Sequence, residues 1–280
     1  MAVKTATNYF SNAIVGQPSV GSDINIFEVN NNPKFPVGYG FERSDGSRFR
    51  YAQFGSTTNA GYLVSTFVSE STVSITGTNV VIQSDSATSV SGVPLKPGKI
   101  GSYYLEAYLT ASKNQFAGGY LIVTGFEGRQ AGTSGYTYRI KGNTAAATGG
   151  GTKCMLNLYE PLVTEVYTEC NIGITSNRWV DLITATSGAN ASASVAGVVV
   201  NNVSATQYAW VQTKGICAAL PSSQYAPVIG SMVGLDTAGN GKITACFFTT
   251  TAGLFGKPFV GFCVLTGSNG THSAIALNIA

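Results

Sequence analysis

The stretch YAWVQT at Tyr208–Thr213 sets the fold class. Aromatic and β-branched side chains suit the pleated, half-buried surface of a sheet, and nothing in it repeats at the i, i+3, i+4, i+7 spacing of an amphipathic helix. Runs of the same character lie outward from it in both directions: Gly61–Val68 (GYLVSTFV), Thr72–Ile82 (TVSITGTNVVI), Tyr103–Leu109, Tyr120–Val123, Tyr136–Ile140, Val195–Val200 and Ile243–Phe248. Asp45-Gly46, Gly118-Gly119, Asn240-Gly241 and Asn269-Gly270 punctuate them. These pairs tolerate positive φ and read as hairpin turns. The expected fold is all-β, with two β-sandwich or barrel-like modules behind an extended N-terminal arm. Tyr159–Thr168, where Pro161 suits a first helical position, is the one candidate for a helical turn.

The chain has 280 residues, of which 44% are hydrophobic, 11% aromatic and only 10% charged. Ordinary soluble domains carry roughly 25% charge, and disordered chains combine high charge with few hydrophobes, so this chain is expected to bury a substantial core. Its net charge of +3 is too small for an electrostatic nucleic-acid binder, and no nucleic-acid partner is expected. No run reaches 18 apolar residues and the N-terminus shows no apolar stretch of signal-peptide length, so neither a membrane nor the secretory route is expected. The Asn-x-Ser/Thr triplets at Asn190, Asn202 and Asn269 are then coincidental. Cys154, Cys170, Cys217, Cys246 and Cys263 lack the spacing of a zinc site or a disulfide scaffold. They read as small buried hydrophobes, two of them within ITACFF (Ile243–Phe248) and FVGFCVL (Phe259–Leu265), which look like buried strands.

Organisation follows from composition. Residues 1–36 form a polar, strand-poor arm expected to reach a neighbouring subunit, 37–190 a β-rich module with loop insertions, and 191–280 a C-terminal barrel-like module. Gly142–Lys153 (GNTAAATGGGTK) reads as a flexible surface loop and Thr186–Ser194 (TSGANASAS) as a polar linker. A faint echo links RYAQFG (Arg50–Gly55) with YAWVQTKG (Tyr208–Gly215), too short for a repeat.

Reactive chemistry is sparse. The single histidine, His272, sits in a polar turn, no G-x-S-x-G elbow occurs, and Gly239–Lys242 reads as a hairpin turn because Ile243 follows where a phosphate loop needs Ser or Thr. Glu160, Glu165 and Glu169 are the densest acidic stretch and read as a solvated face. A hydrolase using converging carboxylates, Glu165 among them, is the least favoured reading. No catalytic, cofactor or metal residue is assigned. Arg43, Arg48 and Arg50 form the densest basic stretch, with Arg48 and Arg50 on one side of a strand. Beside Glu42 and Asp45 they are expected to make salt bridges across a hairpin or to a partner subunit. With Tyr51 and Trp210 they make up the candidate interface, and Trp179 and Trp210 read as core or interface anchors.

GGYLIVTGFEGRQAGTSGYTYRIKGN (Gly118–Asn143), LNLYEPLV (Leu156–Val163), TQYAWVQTKGICAAL (Thr206–Leu220), APVIGSMVGLDTAGNGKI (Ala226–Ile243) and GKPFVGFCVLTGSNGTHSAIALNI (Gly256–Ile279) resemble virion structural proteins of tailed, notably marine, bacteriophages. The closing segments are similar to the C-terminal β barrel of capsid decoration proteins, and FERSDGSRFRYAQFG (Phe41–Gly55) to their opening module. The resemblance implies a non-enzymatic cement protein on the outer capsid surface, assembled in the host cytoplasm, with the phage major capsid protein as partner and self-association as a trimer. The alternative is a receptor- or glycan-binding module of a tail fibre or baseplate.

Overall fold

The computed structural model describes residues 24–66, 79–81, 98–125, 135–146, 153–166, 171–185, 194–223, 225–236, 240–246, 259–267 and 270–279. Every element among them is a strand: β1 (Gly40–Glu42), β2 (Arg48–Gln53), β3 (Leu63–Ser65), β4 (Asn79–Val81), β5 (Tyr104–Tyr108), β6 (Tyr120–Gly125), β7 (Thr137–Asn143), β8 (Lys153–Leu158), β9 (Asn171–Thr175), β10 (Ile183–Thr184), β11 (Val195–Val199), β12 (Tyr208–Ala219), β13 (Met232–Leu235), β14 (Ile243–Ala245), β15 (Phe259–Leu265) and β16 (Ser273–Asn278). The all-β reading holds. The helical turn does not: residues 159–166 are bends and one isolated bridge, with Val166 paired to Gly98, and 167–168 lie outside the described residues. β-branched Val163 and Val166 favour that extended backbone.

Two compact units divide the chain, Met1–Phe67 with Trp179–Ala280, and Val68–Arg178. This corrects the expected boundary near residue 190. β3 pairs β10 antiparallel, Ser65 opposite Ile183, and pairs β11 as well, so segments on both sides of residue 190 share one sheet. Unit 2 therefore leaves and re-enters the chain where a hairpin loop would join β3 to β10. The Thr186–Ser194 segment, of which only Ser194 is described, connects β10 to β11 within unit 1 and marks no boundary.

Unit 1 is a ten-stranded antiparallel sheet in the order β10-β3-β11-β12-β16-β15-β13-β14, with β1 and β2 attached through β2 to β12. β11 is buried along its whole length, with Val195 and Val198 in one core cluster and Ala196 and Val199 in another. A strand covered on both faces reads as a continuous apolar run, which is what VAGVV is. The expected turns at Asp45-Gly46 and Asn240-Gly241 join paired strands, β1 to β2 and β13 to β14. Gly46 has φ +80° and its N–H donates to Arg43 O, a tight turn closed by a left-handed residue. Gly118-Gly119 is different: it leads into β6, whose partners are β7 and β9, so it joins no hairpin pair. Asn269 lies outside the described residues.

The echo between RYAQFG and YAWVQTKG has a structural cause. β2 and β12 are antiparallel neighbours, with Arg50 opposite Val211, Tyr51 opposite Trp210 and Ala52 opposite Ala209. Cross-strand partners share one environment and so draw on similar residues. The register shifts between Gln212 and Lys214, where the β2 ladder ends and, on the opposite edge, the β16 ladder begins. There the buried Gln212 side chain donates from Nε2 to Lys214 O and Ile216 O, both at 3.0 Å.

Unit 2 is a six-stranded antiparallel sheet in the order β4-β9-β6-β7-β8-β5, and its end strands β4 and β5 approach one another. Leu105, Leu121, Ile140, Leu156 and Ile172 fill its inner side. Asn143 closes the β7–β8 connection: Oδ1 accepts from Phe116 N–H at 2.9 Å, and Nδ2 donates to Ser112 O and Thr144 O. The ends of the expected Gly142–Lys153 loop are thus strand residues, and 147–152 lie outside the described residues.

Two outcomes test this architecture. Replacing residues 68–178 by a short Gly/Ser linker leaves unit 1 folded, seen as a cooperative thermal transition with retained near-UV dichroism. Gln212→Met, which removes two hydrogen bonds to carbonyls at the bulge, lowers unfolding free energy by about 2 kcal/mol in urea titration.

Candidate assembly surface

The arginine hairpin was expected to make salt bridges across itself or to a partner subunit. Arg48 Nε donates to Glu42 Oε2 at 2.7 Å across the β1–β2 pair, as the salt-bridge reading anticipated. The Arg43 guanidinium lies 5.2 Å from the Phe49 ring centroid, and Arg50 Nη1 donates to Gly38 O at 3.1 Å. All three arginines therefore have partners within their own unit. The Arg48–Glu42 pair is well exposed, and such pairs contribute about 0–1 kcal/mol.

Tyr51 and Trp210 are not surface residues, which corrects their place in the expected interface. They are 0% and 1% exposed. Trp210 centres an aromatic cluster, with ring centroids of Phe41 at 4.8 Å, Tyr51 at 5.1 Å and Phe35 at 5.3 Å. The cover comes from the segment read as an arm. Ile26 is buried, Phe35 packs on Tyr39, Tyr51 and Trp210, and Asn30 exchanges two backbone hydrogen bonds with Tyr208. Lys34 N–H also donates to the Tyr51 hydroxyl at 3.2 Å. Residues 24–36 thus stabilise themselves on their own unit, because Ile24, Ile26, Val29 and Phe35 pack on its core and the Asn30–Tyr208 bridge anchors the backbone between them. Residues 1–23 lie outside the described residues.

Other sequence candidates disperse. His272 Nε2 sits 3.4 Å from Ala60 O in an exposed turn, its ring against Gly61. Glu160 accepts from the Arg139 backbone N–H, and Glu169 lies outside the described residues. Among the described residues, no three His, Cys, Asp or Glu side chains gather as a metal site would need. Cys154, Cys217 and Cys263 are buried as expected, Cys246 is half-buried and Cys170 is outside the described residues. Burial raises the Cys154 thiol despite its hydrogen bonds with Asn143 and Thr144, and pushes Cys217 up to about 12.

A surface the sequence did not reveal lies on the other half of unit 1's sheet. FVGFCVL was expected to be buried; instead β15 is buried only in part, with Val260, Gly261 and Cys263 inside and Phe259, Phe262, Val264 and Leu265 exposed. Register places Ile216 of β12, Ala276 of β16, Phe262 of β15 and Met232 of β13 in one row across four strands. Ala218 and Ala274 form the next row. Phe259 packs edge-on against Phe262 at 5.2 Å. Ile216 is 59% exposed, Phe262 48%, Val264 46% and Phe259 40%. Lys214 and Asn278, opposite one another, bound the patch at one end. Isolated exposed hydrophobes are ordinary, but a contiguous apolar row without a charge marks an interaction surface.

No family model, curated protein or solved structure matches this chain.

Trp210→Ala is expected to cost about 3–5 kcal/mol, read from urea unfolding, whereas Arg48→Ala costs less than about 1 kcal/mol. At pH 8 the Cys217 thiol stays protonated and resists alkylation until the protein unfolds, measured by mass spectrometry of iodoacetamide-labelled peptides. Because its folded pKa is raised, its share of stability is full below the ordinary thiol value of 9.0 and is lost as pH climbs toward about 12.

Proposed function

We propose that this chain is a non-enzymatic structural protein of a phage virion, binding the outer capsid surface and reinforcing contacts between capsomers. The observation that carries the reading is the uncharged apolar row Ile216–Ala276–Phe262–Met232. Aliphatic and aromatic side chains without charge are what the core of a protein–protein interface contains. Covering each half-exposed side chain is worth about 1–2 kcal/mol by area, before the cost of association. One such patch is modest, but shell symmetry repeats it, and multivalent engagement raises apparent affinity without a strong single site. The chain's 10% charged content supports the same reading, since weakly charged surfaces repel neighbours little. The virion context rests on the resemblance of the Thr206–Leu220 and Gly256–Ile279 segments to decoration proteins.

Phe262→Asp tests it. A carboxylate placed in the row must be desolvated on docking, so occupancy on purified shells falls at least tenfold while the melting temperature changes little, because Phe262 is half exposed in the free chain. Unchanged occupancy rejects the surface. Recovery of the wild-type chain only with tails, when virions are fractionated, rejects the capsid assignment.

A further inference from the structure

The outer side of unit 2's sheet carries a different chemistry, and the geometry points to a binding face for carboxylated polysaccharide. This goes beyond the assembly reading and does not depend on it. Strand alternation sends Leu121, Ile140, Leu156 and Leu105 into the core and Tyr120, Arg139, Asn157 and Tyr104 to the opposite side. Tyr120 of β6 stands opposite Arg139 of β7, and Tyr104 of β5 opposite Asn157 of β8. Tyr159, just past β8, donates its N–H to Arg139 O at 3.0 Å, and the Arg139 guanidinium lies 5.1 Å from its ring centroid. Tyr104, Tyr120 and Tyr159 are each about half exposed.

The row therefore runs ring, cation, ring. Neighbouring strands are about 4.8 Å apart, so Tyr120 and Tyr159 are separated by about 10 Å, the length of one disaccharide, with Arg139 between them. Tyrosine offers a rigid ring of low conformational entropy that stacks on the apolar face of a pyranose while its hydroxyl meets the sugar's own. Lys141, two residues along β7, is exposed on the same side as Arg139. Neither has a carboxylate within ion-pair distance among the described residues, whereas Lys153 is paired with Glu106 at 3.3 Å. Glu160 Oε2 accepts from the Arg139 N–H at 3.1 Å, so one carboxylate borders the row. Arg139 and Lys141 outnumber it, and two cations beside exposed rings complement a polymer in which uronates alternate with neutral sugars. They are too few to neutralise a nucleic-acid backbone, which needs several phosphates met at once. A protein partner fits less well: the exposed hydrophobes in this row are tyrosine rings, whereas unit 1's row is Ile, Ala, Phe and Met.

The test is calorimetric titration of the full chain with a hyaluronan decasaccharide, a neutral dextran of equal length and an oligothymidylate. Saturable hyaluronan binding is expected, at least tenfold tighter than dextran and weakened by salt. Tyr120→Ala and Tyr159→Ala should each lose at least tenfold with unchanged melting temperature. Arg139→Gln should erase the preference for hyaluronan over dextran. No hyaluronan binding at millimolar concentration, equal binding of dextran, tighter oligothymidylate binding, or tyrosine variants that bind like the parent would each overturn the inference. Phe262→Asp, which tests capsid attachment, leaves this titration unchanged, so the two readings fail separately.

Discussion

Strand β12 must satisfy hydrogen bonds along both edges of twelve residues, and no single neighbour in unit 1 is long enough to do it. β2 takes Tyr208–Lys214 along one edge, while along the other β11 meets Val211 and Gln212 and β16 takes Lys214–Ala219. The β2 ladder ends in a bulge between Gln212 and Lys214, and a bulge turns backbone groups away from the ladder. Gln212 spans that gap, and Gly215, at φ +96° with Ser47 close against it, lets the chain pass where a side chain would collide. The burial pattern changes at the same place. Before the bulge Ala209–Thr213 are buried throughout; after it, residues alternate. One half of β12 thus belongs to a covered sheet and the other to a sheet with an open face.

That division explains why a single unit carries both the aromatic cluster and the apolar row. Residues 24–36 cover the first half of β12, where Trp210 would otherwise lie exposed beside Phe41 and Tyr51. Among the described residues, nothing comparable covers the second half. The β3–β10 pair keeps the entry and exit points of unit 2 opposite one another in the sheet, so an insertion there costs unit 1 little more than a lengthened hairpin loop. Each unit then builds its own core and presents its own outer face.

Turn chemistry was the most legible part of the sequence. Asp45-Gly46 and Asn240-Gly241 lie between paired strands because few residues reach positive φ cheaply, and Asn240 and Gly241 both adopt it, at +67° and +66°. Strand content was legible for the same local reason. Three readings went wrong where the answer was not local. Tyr51 and Trp210 looked like interface aromatics, but which side of a strand is covered depends on residues 24–36, more than 170 positions from Trp210. The domain boundary was placed at a polar stretch, whereas pairing between Ser65 and Ile183 decides it. FVGFCVL read as buried because both of its faces are apolar, so hydrophobicity does not separate the buried Val260, Gly261 and Cys263 from the exposed Phe259, Phe262, Val264 and Leu265.

The third misreading carries the functional argument. A solvent-facing strand in an antiparallel sheet ordinarily alternates apolar and polar residues, and β7 does so, with Tyr138 and Ile140 inside and Thr137, Arg139 and Lys141 outside. β15 breaks the rule on its outer side, and so do its neighbours in the row: Ile216 and Met232 from flanking strands, and Ala276 between them. Each departure alone is unremarkable. Four in register across four strands require that several positions, far apart in the chain, all keep apolar residues facing water at a standing cost in solubility. The same chain avoids that cost on unit 2, where the outer strand positions carry hydroxyls, amides and cations around their rings. Unit 1 keeps an apolar row where unit 2 does not, and the proposed docking surface is what would account for that difference.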